Sequence, residues 1–390
     1  MFLPTRTALA LLLCAALPAA AKAWPAARDG IALGVSDTET LLGVGSGGVK
    51  QGATLQGVTT ATLDVDAAKA LHLPGGTLHI SALQIHGQPL SPSYLDNIQT
   101  ASGTEAEDST RLWEAWYDQA FGALDVKLGQ QSLDSEFMVS QGSGLFVNTM
   151  AGWPVIPSYD LYGGGPAYPL AALGVRLRAA LGQTTLLGGV FDDDPGGGTF
   201  KGDAQAMDPR GGRFNLDNGA LFIAEIQHQC APGGSPGTYK IGFWYDSASF
   251  ADPRRSDVTH RGNASLYAVA DQTLWSKGGH SLGVFIRVMG APGDRNPVDF
   301  GLNGGITLAA PFAARPNDSA GVDVGIAHLS SGGTETLLEA TYQAQATPWL
   351  MLQPDVQYVV NPGGGIPDPA APRRHLADEL VAGLRATVAF

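Results

Sequence analysis

Three short stretches carry side chains at spacings that could grip a ligand. In RLWEAWYDQAF (Arg111–Phe121), Glu114, Trp116 and Asp118 fall on alternate positions, and LDVKLGQQ (Leu124–Gln131) adds Lys127 and Gln131. GVRLRAAL (Gly174–Leu181) contributes Arg176 and Arg178. On an extended chain alternate residues share a face, so each stretch would turn its charges to one side, with an indole among them. Carboxylates, amides and cationic groups hydrogen-bond hydroxyls from both directions. An aromatic face offers apolar area with a polar rim. Together these groups suit a neutral, hydroxyl-rich molecule. Trp244, Asp246 and Arg287 repeat the pattern in later segments.

Catalytic and cofactor chemistry is poorly served. Gly43–Gly48 matches GxGxxG in letters, but no helical pattern follows it, and a dinucleotide site needs that helix. No Gly-rich loop ends in GK[ST], and HExxH does not occur. His72, His79 and His86 are spaced so that strands would give them no convergent face, so no metal site is expected. Asp192–Asp194 could attract a hard cation such as Ca²⁺, but the reading preferred here is a solvated loop. The acid–base pair of a sugar hydrolase would have to come from Asp192–Asp194 or from Glu335 and Glu339, and nothing pairs them. No catalytic residue, metal or cofactor is expected.

The elements that would position these groups are strands. From Glu39 to Phe390 almost every segment alternates apolar and polar residues over about ten positions and is then broken by Gly, Pro, Asn or Asp. Tyr239, Ile241, Phe243 and Tyr245 oppose Lys240, Gly242, Trp244 and Asp246, for example. Tight connections such as Gly122-Ala123, Gly182-Gln183, Ser276–Gly279 and Thr347-Pro348 alternate with long ones. The long ones are Gly87–Thr110, Ser132–Leu173, Asp192–Asn218, Ala251–Arg261 and Asn361–Arg374. Short turns at one end and long loops at the other mark an up-and-down antiparallel outer-membrane β-barrel, and the count is about sixteen strands. The last segment alternates up to Phe390 and must pair with another strand to satisfy its edge.

A secreted β-sandwich would alternate too. Charges at mid-strand, including Lys127, Arg176, Arg178, Lys240, Arg287 and Arg385, fit a wet interior better. Pro354 counts against a regular strand in LMLQPDVQYVV, because proline cannot donate to the ladder. Trp113, Tyr117, Phe121, Phe243, Tyr245, Phe300 and Tyr358 are assigned to the outer wall and its interfacial girdles.

Composition agrees. The formal net charge is −13, which excludes a basic nucleic-acid surface; loss of Arg6 and Lys22 with a leader gives −15. Residues 1–23 read as a secretory signal, with Arg6, a short apolar run and small residues before Trp24. Residues 24–35 read as a leader and 36–390 as the barrel, with 132–173 as an inward-folding loop. Its forty or so residues are too aromatic and apolar for disorder, and loops this long are usually functional.

The wording of several segments resembles the OprB-type carbohydrate-selective porins of Gram-negative outer membranes. They are TLHISALQIHG (Thr77–Gly87), RLWEAWYDQ, LGQQSLDSEF (Leu128–Phe137), GLFVNTMAGWP (Gly144–Pro154), GGPAYPLAALGVRLR (Gly164–Arg178) and LQPDVQYVVNPGG (Leu352–Gly364). The resemblance implies a sixteen-stranded barrel for passive, selective uptake of glucose-like sugars, with loops folded inward to narrow it. On that reading Glu114, Trp116, Asp118, Lys127, Gln131, Arg176, Arg178, Trp244, Asp246 and Arg287 line the lumen. Glu114 or Asp118 facing Lys127, Arg176 or Arg178 would set a transverse field, unless these charges only pair and hold the loop. Phe137, Phe146, Trp153 and Tyr159 would pack the constriction. The expected partners are small sugars, outer-membrane lipid and lipopolysaccharide, and the barrel-assembly machinery through Phe390, with the protein a monomer or a homotrimer. An ion-conducting porin without sugar selectivity is the nearest alternative, and a secreted sugar-binding protein or hydrolase a more distant one.

Overall fold

The computed structural model describes residues 29–197 and 203–390. The expected signal, residues 1–23, and the first five residues of the leader lie outside them. The first half of the wall comprises β1 (Ile31–Ser46), β2 (Gly52–Asp66), β3 (Gly76–Gly87), β4 (Ser109–Phe121), β5 (Leu124–Gln131), β6 (Ala172–Leu181), β7 (Thr184–Phe191) and β8 (Leu221–Cys230). The second half follows as β9 (Gly237–Asp252), β10 (Arg255–Lys277), β11 (His280–Gly290), β12 (Val298–Ala309), β13 (Ser319–Leu329), β14 (Thr334–Thr347) and β15 (Leu350–Val360). A small hairpin of β16 (Pro367–Asp368) and β17 (Ala371–His375) precedes the last wall strand, β18 (Glu379–Ala389).

The sixteen wall strands among the described residues form one closed antiparallel barrel in chain order. The seam pairs β1 with β18 from Ser36↔Ala389 to Ser46↔Leu380. Val35 and Phe390 exchange both of their backbone hydrogen bonds there, at 3.3 and 2.9 Å. Closure leaves no edge, which a bilayer requires of any sheet that crosses it.

Alternation sorts the side chains as the pleat demands. On β9, Tyr239, Ile241, Phe243 and Tyr245 are exposed on the outside, while Lys240, Trp244 and Asp246 are buried inside. The two-residue turns Gly122-Ala123 and Gly182-Gln183 lie at one end, where Gly122 (φ 71°) and Gly182 (φ 66°) supply the left-handed backbone of a tight hairpin. Segments 88–108, 132–171, 192–220 and 361–378 all leave from the opposite rim.

Three expectations need correction, and the irregularity expected at Pro354 is present. Strand β1 begins at Ile31, inside the expected leader, because Ile31, Leu33 and Val35 already alternate and pair with Val65, Leu63 and Ala61. Ala251–Arg261 is not a long loop: β9 and β10 run past the rim and turn at Pro253-Arg254, with Asp252 opposite Arg255. Pro354 sits inside β15, which keeps its pairing to β18 at Leu384 but has no β14 partner at Gln353 or Pro354. The missing donor is tolerated because that stretch of the ladder is open. Trp113 does not face lipid. A bulge between Ser81 and Ala82 of the partner strand makes it the extra residue of β4, and its indole turns inward to donate to the Leu170 carbonyl at 3.3 Å.

Candidate functional site

The charged stretches become neighbours on one wall. Register places Asp118 opposite Lys127 and Lys127 opposite Arg176, a row across β4, β5 and β6. The adjoining row sets His79 of β3 beside Trp116, and Trp116 beside Gly129. Gly129 (φ 130°) makes that row possible, since a Cβ there would lie 3.1 Å from the Trp116 Cβ and 2.3 Å from the Ala115 carbonyl. The Trp116 ring stacks on His79 at 4.8 Å and carries the Lys127 ammonium 4.3 Å from its centroid. Its indole N–H has no partner among the described residues.

These ions are paired, not opposed. Arg176 is 1% exposed and holds Asp118 at 3.1 Å, Glu136 at 2.7 Å and Asp125. Lys127 binds Glu136, and Arg178 reaches Asp125 at 3.3 Å. Glu114 accepts the Ser132 amide at 2.9 Å and lies 3.8 Å from His79. The expected transverse field between Glu114 or Asp118 and the cations is therefore replaced by a neutralising network. The reason is topological: hydrogen-bonded strands lie ~4.8 Å apart, so β4, β5 and β6 cannot face one another. Gln131 is 1% exposed and donates to the Gly174 carbonyl at 3.0 Å, which fixes the strand where the long loop leaves.

Residues 132–171 cross the lumen from this wall to β10–β14. Glu136 ties their first turn to Lys127 and Arg176, while Asp134 accepts from Ser132 and the Tyr168 amide and has its carboxyl pushed up by burial. At the far side Arg287, fully buried, donates to the carbonyls of Met138 (3.3 Å), Gly152 (2.8 Å), Ala151 (2.9 Å) and Met150, and to Asn303. Phe137, Trp153 and Tyr159 pack with Trp244, Tyr267 and Met289 in one apolar cluster inside the barrel. Phe146 packs on Phe285 at 5.7 Å between centroids. All four expected aromatics thus bind the loop to the wall. Trp244 belongs to that cluster and Arg287 is a clamp, so both point inward but lie beneath the loop.

A second inward loop was not legible from its sequence. Residues 88–108 enter the same space: the Thr149 amide donates to the Thr100 carbonyl at 3.0 Å, and the Gly103 amide to Val147 at 2.9 Å. Strand β14 anchors both loops. Glu335 accepts the Ile98 and Gln99 amides at 2.7 Å each, and Glu339 accepts Val147 at 2.5 Å and Asn148 at 3.3 Å. Gln357 and Arg385 add bonds to Ala101, Ser102 and Val147. The only sequence signal was an excess of mid-strand carboxylates and amides. Below the loops a cavity of ≈ 670 Å³ opens toward the short-turn end, lined by Ser140, Gln141, Asp271, Gln272, Thr307 and Gln343.

Asp192–Asp194 are not solvated, contrary to expectation; they are 3%, 1% and 1% exposed. Asn215 and Asn218 donate to Asp194 and Asp193 at 2.9 and 2.8 Å, and burial with the neighbouring carboxylates pushes Asp193 up to about 6. Asp246, at 0% exposed, sits with this loop beneath the rim rather than on an open lumen.

A closed sixteen-stranded wall, with a long loop docked across its interior, is matched by one family description. "Carbohydrate-selective porin, OprB family" covers residues 50–390. The chain belongs to the OprB family. Porin B of Pseudomonas aeruginosa is 25% identical over 311 residues, which are 65% of this chain and 64% of that protein. The chain thus spans less than two thirds of that relative's length. Two structures of Pseudomonas putida OprB share the fold. The one at high pH has a TM-score of 0.79 at 20% identity, covering 93% of this chain and 94% of that one. The one at low pH has a TM-score of 0.61 at 16% identity, covering 93% of each. Membership in the OprB family together with the closed barrel implies an outer-membrane location.

Proposed function

We propose that this chain is an outer-membrane channel for passive, selective diffusion of small neutral sugars, glucose-like monosaccharides first, into the periplasm. The observation that carries the reading is Trp116, stacked on His79 and covered by the Lys127 ammonium, beside the Asp118–Arg176 network, with the two docked loops crossing the lumen. Ion pairing leaves this wall polar but locally compensated, which favours neutral hydroxyl-bearing solutes over ions. Trp116 is already flanked by His79 and Lys127 and its indole N–H is buried, so its role in this reading is a fixed apolar edge. Weak, repeated contacts of this kind permit exit as well as entry.

The test is current through the purified, refolded protein in planar bilayers, titrated with glucose, maltose or gluconate. Glucose should block more strongly than gluconate. Trp116→Ala should weaken glucose block by about tenfold, the ~1.4 kcal/mol expected for losing one apolar contact surface. Ohmic current insensitive to every sugar would reject selectivity and leave the ion-conducting reading.

A further inference from the structure

We propose that the cavity beneath the docked loops is a second binding station, one that takes neutral polyhydroxylated solutes of hexose size as they leave toward the periplasm. The inference rests on the passage of sugars proposed above. The cavity, ≈ 670 Å³, falls in the size range of small-molecule sites and lies against the far wall, β10–β14. Among the described residues that line it there is no lysine, arginine, histidine or aromatic ring. Its acidic side chains are Asp134 and Asp271.

The wall carries unengaged hydroxyls and an amide at one level. Register sets Thr273 beside Gly283, Gly283 beside Thr307, and Thr307 beside Gly321, with Ser319 beside Gln343 in the next row. Thr273, Thr307, Ser319 and Gln343 are half-buried, and their side-chain polar atoms bond to nothing else among the described residues. The two glycines of that row differ. A Cβ on Gly321 would lie 2.7 Å from Phe146 and 2.8 Å from Leu145, so the long loop fills that notch. A Cβ on Gly283 would come closest to Thr307 Oγ1, at 2.9 Å, and no loop atom lies within 4 Å of it. This second notch is open, with a hydroxyl turned across it.

The roof is fixed. Asp271 accepts the Ser140 hydroxyl at 2.6 Å and the Gly142 amide at 2.9 Å, and Gln353 donates to the Leu145 carbonyl at 2.7 Å. Hydroxyl and amide side chains both donate and accept, so each group on this wall can answer a sugar hydroxyl in either sense. An anionic solute finds no cation there to replace its hydration. Without an aromatic platform the hold stays weak, and weak sites in series let a solute leave as well as enter. Rejection of anions such as gluconate is thus assigned to this half of the lumen rather than to the neutralised network at Trp116.

The experiment uses the full chain, refolded, in a Cys230→Ser background with Ser319→Cys as a reporter inside the cavity. Modification of that cysteine by a small methanethiosulfonate should slow about fivefold in saturating glucose, because an occupied cavity excludes the reagent. Sodium gluconate should not slow it. Gly283→Val, which fills the notch within a β-strand, should abolish protection by glucose with heat-shifted gel mobility unchanged. Thr307→Val keeps the shape and removes the hydroxyl, so about fivefold more glucose should be needed. Gln343→Lys should let gluconate protect, since its ammonium supplies the missing counter-charge. Equal protection by glucose and gluconate before that change, or glucose protection untouched by both valine variants, overturns the proposal. Glucose block of the current without protection of the cysteine also overturns it and leaves the passage of sugars standing. Absence of both rejects that passage as well.

Discussion

Replacing Arg287 with methionine should release the long loop from the far wall and open the channel. The guanidinium is fully buried, and it donates to four loop carbonyls and to Asn303. Methionine keeps most of the volume but none of the donors, so Met138, Met150, Ala151 and Gly152 would each bury an acceptor without its partner. Each such loss costs about 1–3 kcal/mol, and the shared set should cost about 3–5 kcal/mol of docking energy. The barrel itself should survive, because its ladder closes without the loop. Single-channel recording should show larger, noisier conductance with sugar block lost, and chymotrypsin, which has Phe137, Phe146, Tyr159 and Tyr162 to cut after, should cleave between 132 and 171. Unchanged conductance with an intact loop would mean that the apolar cluster around Trp153 and Trp244 holds the loop alone.

That outcome bears on what the sequence could show. Strand identity and face were readable wherever alternation was unbroken, because the pleat has a period of two and a hydrophobic exterior enforces it. β9 and β18 are such cases. Trp113 was misplaced because one bulged residue inverts the parity upstream, and a bulge leaves no mark in composition. Asp118, Lys127 and Arg176 were identified as inward residues, but their pairing needed the register, since alternation gives a face and not a neighbour. Arg287 read as one more lumenal cation. Its role as a clamp depends on carbonyls about 140 residues away in sequence, which no local pattern records. The inward path of 88–108 was hidden for the same reason: its contacts are backbone amides, identical in every residue type except proline.

Glu335 and Glu339 provide the second large effect. Glu335 accepts the Ile98 and Gln99 amides of 88–108 and also the Gly363 amide, Glu339 accepts the Val147 and Asn148 amides of 132–171, and both residues project inward from β14. Charge-assisted bonds of this kind contribute about 1.5–3 kcal/mol each, so Glu335→Ala or Glu339→Ala should undock the loop it serves. The two loops are also joined directly, by Thr149 to Thr100, Gly103 to Val147, and Asn148 to Gln99. Undocking either one strips partners from the other. In a double-mutant cycle the combined loss should therefore fall short of the sum by about 0.5–3 kcal/mol, since the second substitution removes contacts already gone. Hydrogen exchange read at 97–104 and 146–150 measures this: each single substitution should deprotect both segments. If Glu339→Ala deprotects 146–150 and leaves 97–104 unchanged, the loops dock independently and the constriction is two gates. If both segments lose protection together, it is one two-loop body held on β14, and a solute meets a single rigid opening.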